Sequence, residues 1–293
     1  MASSEYPREA SSASGWSEHF VNPADAAATS CPLEAVSLSH SVLLLDAVAT
    51  ADECALLVTA ASALARRELE ERAELEECGL LDDVMVADSG RVRMPIENRF
   101  DKAVQTLCDG LLVRALSRIA PMRDAAATFG QCVSAPTCLS NPLLHWSPGE
   151  PAINVYATGG DFKPHEDEQL ITILIPLTNS KTTAPDGSGD FAGGGTAFWS
   201  QGARGSADDD GQLAVLGPPS FVLTPPAGSA LVFGGELTHA AQPVTAGERT
   251  VFVGSFTPAG RKPVNRRGED LTTEADMDQD LEGCGLEKDQ DVD

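Results

Sequence analysis

Apolar positions along this chain of 293 residues follow a helical period in the first half and a strand-like pattern in the second. Over 56–64 they recur at the spacing of one helix face, and Glu53 lies three residues after Thr50, in the order of a capping box. Together these features predict a helix over 50–77. A second apolar stripe at helical spacing predicts another helix over 98–119.

Short apolar runs separated by turn residues dominate the second half of the chain. The runs with this character are 151–157, 170–177, 221–224, 229–233 and 249–256. Their β-branched and aromatic residues, with Gly and Pro between the runs, predict strands. The Pro-Pro-Ala-Gly sequence at 225–228 predicts a hairpin bend between the two strands beside it.

The two ends of the chain have the composition of tails. Residues 1–37 are rich in Ser and Ala, and 269–293 holds eleven acidic residues against one Lys. Such segments bury too little apolar surface to offset the entropy of ordering. The predicted organisation is a disordered tail over 1–37, one domain over 38–260 with helical support over 38–148 and a β-rich core over 149–260, and an acidic disordered tail over 261–293.

Charge and hydropathy exclude two classes of partner. The formal net charge is −24, which opposes unspecific attraction to phosphates, so no nucleic-acid partner is expected. The basic residues between 261 and 267 fit a solvated strand exit better than a nucleic-acid site. No apolar run is long enough to cross a membrane, and no secretory signal pattern is seen. We therefore expect a cytoplasmic protein without a membrane partner.

The cysteine pattern argues against a disulfide framework. The chain has seven cysteines, an odd count, and no Cys-x-x-Cys pair. In the absence of a secretory signal, this pattern indicates reduced thiols. Cys132 and Cys138 are close enough in sequence to close a short loop, and that alternative stays open.

The residues with the clearest chemistry are His165 and Asp167, two positions apart in a segment expected to be extended. Side chains at i and i+2 of a strand point to the same side, so both can bind one metal ion. A second imidazole from His239 completes the two-His-one-carboxylate set of non-haem Fe(II) oxygenases, which leaves coordination positions open. A lone His-x-Asp pair is more often a solvated turn, and a lone His is more often structural. Their order, spacing and strand context favour a metal site.

Four stretches around these residues form an ordered set: 154–167, 170–177, 191–198 and 226–233, followed by His239 and, ten residues on, Arg249. In this order, residues 150–258 resemble the core of the prolyl 4-hydroxylase-like Fe(II)/2-oxoglutarate-dependent dioxygenases. The resemblance implies an α+β fold, with a double-stranded β-helix (jelly-roll) core and supporting N-terminal helices. It implies these roles: His165, Asp167 and His239 as the catalytic metal ligands, Arg249 as the partner of the distal carboxylate of 2-oxoglutarate, and Tyr156 as a further co-substrate contact.

The activity implied by the resemblance is hydroxylation. The cofactors would be Fe(2+) and the co-substrate 2-oxoglutarate, with O2 as oxidant and L-ascorbate as reductant. The substrate would be a peptidyl proline, another amino-acid side chain or a small molecule, and 2-oxoglutarate would be decarboxylated to succinate. Because Asp167 stands where a halogenating site would have Gly or Ala, hydroxylation is favoured over halogenation. The alternative is a catalytically idle β-helix binding protein that retains the metal site. The presence of all three ligands and Arg249 argues against it.

The sequence departs from the family pattern at 175–177, which lacks a second co-substrate tyrosine. The Gly-, Ser- and Asp-rich stretch 178–212 has the composition of a loop, either a lid over the substrate or an insertion without a role. The three glycines at 193–195 match the start of a family strand. No Lys-Ser or Lys-Thr follows them, so they do not form a phosphate loop. The sequence predicts neither the substrate nor the oligomeric state.

Overall fold

The computed structural model of the protein describes residues 19–21, 42–78, 90–119, 138–167, 169–182, 188–199, 217–235 and 237–258. Most of both predicted tails lies outside these ranges, as do Cys31, Cys132, Cys284 and the basic residues between 261 and 267. The acid-rich end of the 178–212 stretch also lies outside them. Those predictions stay predictions, except that residues 19–21 of the predicted N-terminal tail are extended and pair with 42–44.

The helices are α1 (Ala51–Glu77), α2 (Ile96–Arg99) and α3 (Lys102–Ile119). The predicted capping box is confirmed: Thr50 N–H donates to Glu53 Oε2 at 2.8 Å, and Glu53 N–H donates to Thr50 Oγ1 at 3.3 Å. The single helix predicted over 98–119 is wrong at its start. Phe100 is extended (φ −120°, ψ 154°), and Asp101 Oδ1 accepts from Val104 N–H at 2.9 Å, which starts α3 anew.

The described residues contain fourteen strands. They are β1 (His19–Val21), β2 (Val42–Leu45), β3 (Arg91–Pro95), β4 (Leu144–Trp146), β5 (Ala152–Tyr156), β6 (Phe162–His165), β7 (Ile171–Pro176), β8 (Phe191–Gly193), β9 (Thr196–Phe198), β10 (Phe221–Leu223), β11 (Ala230–Phe233), β12 (His239–Ala241), β13 (Val244–Gly247) and β14 (Arg249–Pro258). All the predicted strand runs are therefore confirmed as strands, with shorter bounds in most cases. None of the first four strands, β1 to β4, was predicted, because runs of three to five residues carry little periodicity.

The strands form two main antiparallel sheets. The large sheet has the order β1-β2-β11-β7-β14-β5-β3, with β4 also paired to β14. The small sheet has the order β10-β9-β12-β6, and β13 pairs with β8 separately. The described part of the chain is thus mostly antiparallel sheet with a few helices. Because β2, β3 and β4 belong to the large sheet, the segment expected to supply helical support also supplies strands.

The hairpin predicted at 225–228 is wrong. β10 pairs with β9 in the small sheet, whereas β11 pairs with β2 and β7 in the large sheet. The bend instead docks on the large sheet: Gly228 N–H donates to the Pro176 carbonyl, and Ala49 N–H donates to the Gly228 carbonyl, both at 2.8 Å. Gly228 has φ +83°, and a Cβ there would lie 2.3 Å from the Ala49 carbonyl oxygen, so glycine is required. The segment therefore crosses between the sheets.

The large sheet separates two apolar layers because side chains alternate along its strands. On one face, Ile173 of β7 and Phe252 of β14 pack in a core that includes residues of α1 and α3. On the other face, Leu174 and Val251 pack against residues of the small sheet, such as Phe198. The helices thus cover the outer face, and the inner face looks towards the small sheet. No helix among the described residues is long and apolar enough to cross a membrane.

Candidate metal centre

The two predicted histidine ligands lie directly opposite each other on neighbouring strands. His165 ends β6 and His239 begins β12, and they are cross-strand partners in the antiparallel pair. Their ring centroids are 4.3 Å apart. Asp167 follows two residues after β6, where its N–H donates to the Gly235 carbonyl at 3.0 Å. Residues 74 positions apart in sequence are thus brought together by one strand pair.

The side-chain atoms converge on one point between the strands. His165 Nε2 lies 3.4 Å from Asp167 Oδ1, and His239 Nε2 lies 3.5 Å from Asp167 Oδ2. One candidate ligand atom from each of the three residues lies within 4.8 Å of the others. Two imidazoles and a carboxylate at this spacing suit a divalent transition metal.

Both imidazoles present the correct nitrogen for a metal. His165 Nδ1 lies 2.9 Å from the Lys163 carbonyl oxygen, and His239 Nδ1 lies 2.9 Å from that of Leu237. A carbonyl oxygen only accepts, so in the neutral ring Nδ1 carries the proton and Nε2 keeps its lone pair. A hydrogen bond from the far ring nitrogen is the usual way in which a protein orients a metal-binding histidine. Both Nε2 atoms face Asp167.

The protonation states also fit a metal. Burial lowers the pKa of His239 to about 4, so its ring is neutral at pH 7. Burial opposes ionisation of Asp167, but the adjacent imidazoles of His239 and His165 and a hydrogen bond from Thr172 together hold its pKa below the usual range. A neutral imidazole and an ionised carboxylate are the forms that bind a cation.

Arg249, the predicted co-substrate anchor, lines the same pocket as the three candidate ligands. It is only 4 % exposed, and its Nη2 donates to Thr196 Oγ1 at 2.9 Å. Its guanidinium lies 5.4 Å from the ring centroid of Tyr156, which also lines the pocket. Burial lowers the pKa of Arg249, and no carboxylate in the described part of the chain pairs with it. A buried guanidinium is stable only with compensating partners, and an anion bound in the pocket would be one.

Gly194 makes room for this arginine. Its φ is +67°, and a Cβ there would lie 3.3 Å from Arg249 Cδ and 3.0 Å from the Phe191 ring. The glycine run at 193–195 therefore joins β8 to β9 and clears the side of the pocket. This placement agrees with the interpretation that the run is not a phosphate loop.

Several polar pocket residues were missed at the level of sequence. They are Arg91, Arg93, Glu150, Asn154 and Thr196. The signal that could have found Asn154 is its position two residues before Tyr156, on the same side of β5. Its Oδ1 is buried and has no hydrogen-bond partner among the described residues. No sequence pattern near the two arginines of β3 indicates a pocket residue. They reach the pocket because β3 pairs with β5.

No protein-family model matches the chain, and no curated protein matches it. Solved structures similar to this one include prolyl 4-hydroxylases and other 2-oxoglutarate-Fe(II) oxygenases. A viral collagen prolyl hydroxylase from Paramecium bursaria Chlorella virus 1 is 13% identical, with a TM-score of 0.40 over 75% of this chain and 96% of its own. A Pseudomonas putida prolyl 4-hydroxylase is 17% identical, with a TM-score of 0.40 over 75% and 93% of the two chains. HygX from Streptomyces hygroscopicus, solved with nickel, 2-oxoglutarate and hygromycin B, is 13% identical, with a TM-score of 0.41 over 80% and 94%.

Proposed function

We propose that the chain is an Fe(II)- and 2-oxoglutarate-dependent dioxygenase that hydroxylates a peptidyl proline or a related substrate. One observation carries the proposal: a two-His-one-carboxylate cluster shares a pocket with a buried arginine that has no carboxylate partner among the described residues. The cluster suits Fe(II), and the arginine suits the free carboxylate of a dicarboxylic acid. Because the similar structures have low sequence identities and low TM-scores, they carry no argument about function. The proposal therefore rests on the residues of the site itself.

The fold and domain organisation are part of the same proposal. The chain passes repeatedly between the two main sheets, from β6 to β7, from β10 to β11 and from β12 to β14. Such alternation is what a double-stranded β-helix, or jelly roll, requires. We assign residues 38–260 to one catalytic domain with this core, to which α1 and α3 give support from outside.

Each site residue has a task in the proposed reaction. His165, Asp167 and His239 hold Fe(II), while Arg249 forms an ion pair with the distal carboxylate of 2-oxoglutarate and Tyr156 contacts the same molecule. When bound, Fe(II) and 2-oxoglutarate supply the oxidising chemistry: O2 is consumed, 2-oxoglutarate becomes succinate and carbon dioxide, and a substrate C–H becomes C–OH. The protein supplies orientation, and its apolar pocket residues Leu174, Val251 and Val253 limit the access of water.

Turnover of 2-oxoglutarate tests the class of reaction. The purified chain, with Fe(II), ascorbate and O2, is expected to convert 2-oxoglutarate to succinate, and His165→Ala is expected to abolish the conversion. His145→Ala is the matched control, because His145 is exposed on β4 and does not line the pocket. It should leave the conversion unchanged.

Metal binding and succinate formation, measured together, separate the enzyme from an idle binding protein that keeps the site. In both cases the native chain binds Fe(II), and Asp167→Ala is expected to lose that binding. Metal binding without succinate formation across a broad panel of prolyl peptides, amino acids and metabolites would favour the idle protein. Unchanged metal affinity in Asp167→Ala would show that the ligand assignment is wrong.

The substrate part of the proposal is tested by mass spectrometry of the same panel. A proline-containing peptide that gains one oxygen atom supports it. If only a compound without proline is hydroxylated, the substrate part is wrong and the reaction class stands. The resemblance of the motifs at 154–167 and 226–233 to prolyl 4-hydroxylases is the ground for choosing prolyl peptides first.

A further inference from the structure

Two buried hydroxyls lie side by side beneath the candidate metal ligands. Thr172 of β7 and Ser255 of β14 are cross-strand partners, and both are 0 % exposed. They are on the inner face of the large sheet, where the neighbouring positions Leu174 and Val253 are apolar. Buried hydroxyls in an apolar row are costly unless they are hydrogen-bonded, so these two need partners.

The partners form a chain of hydrogen bonds that ends at Asp167. The Thr172 hydroxyl donates to Asp167 Oδ2, since an ionised carboxylate can only accept. Thr172 Oγ1 also lies 3.1 Å from Ser255 Oγ, so the two buried hydroxyls are in direct contact. Ser255 N–H donates to Glu150 Oε2, and Arg93 Nη2 donates to Glu150 Oε1 at 2.8 Å. The chain of contacts therefore runs from Arg93 to the metal carboxylate.

The two oxygens of Asp167 would be nearly equivalent without this chain. Oδ1 lies 3.4 Å from His165 Nε2, and Oδ2 lies 3.5 Å from His239 Nε2. The hydrogen bond from Thr172 falls on Oδ2 alone. It occupies a lone pair of that oxygen and restrains rotation of the carboxylate, whereas Oδ1 stays available for a cation.

We propose that Thr172, oriented by Ser255, is a positioning residue that keeps Asp167 a one-oxygen metal ligand. This inference rests on the proposed function. A carboxylate that bound through both oxygens would take one of the coordination positions that the co-substrate and O2 require. Glu150 and Arg93 hold the Ser255 backbone at the far end, and Glu150 is itself a buried side chain, only 5% exposed. The residues that would position Asp167 therefore lie in the large sheet and not in the segment that carries Asp167.

Cobalt(II) is the probe, because its visible absorption spectrum reports coordination number without turnover. Thr172→Val removes the hydroxyl and keeps the branched shape. It is expected to weaken Co(II) affinity by roughly 10- to 100-fold, as loss of such outer partners does at other metal sites, and to change the visible spectrum. Thr172→Ser keeps the hydroxyl, so its spectrum and affinity should match those of the native chain. Ser255→Ala should shift both in the same direction as Thr172→Val, by a smaller amount.

Thr250→Val is the matched control. Thr250 is a 0 % exposed threonine on β14, and its Oγ1 has no hydrogen-bond partner among the described residues. It does not line the pocket. Its replacement should leave the Co(II) affinity and the spectrum unchanged, which separates loss of a buried threonine in general from loss of the contact to Asp167.

The outcomes distinguish the two proposals. If the native chain binds no Co(II), the proposed function fails. If the native chain binds Co(II) and Thr172→Val gives the same affinity and spectrum, the proposed function stands and the positioning role is overturned. If Thr172→Val does not fold, Ser255→Ala decides: native affinity and spectrum in that variant overturn the role, and a shift of both supports it.

Discussion

The buried guanidinium of Arg249 determines the kind of molecule that the pocket can accept. A charge removed from water is stable only with compensating partners, and Thr196 supplies one neutral hydrogen bond. A dicarboxylic acid would supply the missing negative charge. In the proposed function, selectivity for the co-substrate would therefore depend on Arg249 and its surroundings.

Loss of this charge should weaken 2-oxoglutarate binding without loss of the metal. For Arg249→Gln we expect a cost of about 2–5 kcal/mol in 2-oxoglutarate binding, because a buried, hydrogen-bonded charge pair is broken. Arg249→Lys keeps the charge but loses the planar fork, so its cost should be smaller. Calorimetric titration of 2-oxoglutarate into the Zn(II)-loaded protein measures both. Equal affinity in all three chains would contradict the assignment of Arg249.

Thr250 offers a prediction about stability alone. Its buried hydroxyl has no partner among the described residues, so its burial carries a desolvation cost without a compensating hydrogen bond. Thr250→Val should leave the free energy of unfolding unchanged or raise it by about 1 kcal/mol. Urea denaturation of the two chains measures the difference. A loss of more than about 1 kcal/mol would indicate a hydrogen bond to the hydroxyl that the structure lacks.

At the scale of single residues, the sequence predicted the candidate metal ligands and Arg249 but not the buried hydroxyl that contacts Asp167. His165, Asp167, His239 and Arg249 belong to a recognisable order of motifs, and the structure brings the first three together in one pocket with the fourth. Thr172 was not singled out, because it lies in an apolar run that predicts only a buried strand. Its partner Ser255 is 83 residues away, and only the pairing of β7 with β14 joins them.

At the scale of elements, one ion pair ties the start of α1 to α3. Arg114 on α3 donates from Nη1 and Nη2 to the two carboxylate oxygens of Glu53, at 3.0 Å and 2.8 Å. Glu53 is also the acid of the capping box, so one carboxylate both caps α1 and fixes the neighbouring helix. The hydrogen bonds from Arg114, with further help from Thr50 and against the effect of burial, lower the pKa of Glu53 to about 2.

This pair should make part of the stability depend on pH. The folded-state pKa of Glu53 is below its usual value of 4.5, so its contribution is present above pH 4.5 and is lost as pH falls towards 2. Since both side chains are partly exposed, we expect Glu53→Gln to cost only about 1 kcal/mol at pH 7. The difference from the native chain should shrink between pH 4.5 and pH 2 in urea denaturation.

Glu71→Gln is the control for that measurement, because Glu71 is an exposed glutamate on the same helix. It should change the free energy of unfolding little at any pH. A Glu53→Gln difference that stays constant from pH 7 to pH 3 would contradict the ion pair.

Local signals explain which elements could be predicted. The capping box joins Thr50 and Glu53, which lie within one helical turn. Both partners are therefore visible in a short stretch of sequence, and the prediction was confirmed. The bend at 225–228 carries equally clear turn residues, yet the sequence does not say which strands it joins. That choice depends on pairing with β9, β2 and β7, which are distant along the chain.

At the scale of the whole molecule, the site exists only when both sheets are assembled. The candidate ligands come from β6, the residues after it and β12 of the small sheet, whereas Arg249, Tyr156 and Thr172 come from the large sheet. No single segment of sequence contains the pocket. This is why motif order could predict four residues that lie together, while the other polar residues of the pocket appeared only with the topology.

β6 is the outermost strand of the small sheet, and within the described ranges it pairs with β12 alone. Pro164 in this strand lacks an N–H, which an edge strand tolerates. Such a strand opens locally more often than a central one. A metal ion between His165 and His239 would cross-link β6 to its one strand partner in the described part of the chain, so the ion should restrain local opening of β6.

Hydrogen–deuterium exchange can time this motion. Zn(II) should slow exchange of the β6 and β12 amides and leave the central strand β7 nearly unchanged, and Asp167→Ala should abolish the effect. Equal slowing across all strands would instead indicate global stabilisation. If the metal restrains β6 in this way, the frequency with which β6 leaves the sheet would limit the lifetime of a metal in the site, and the edge of the fold would be the route by which that metal enters and leaves.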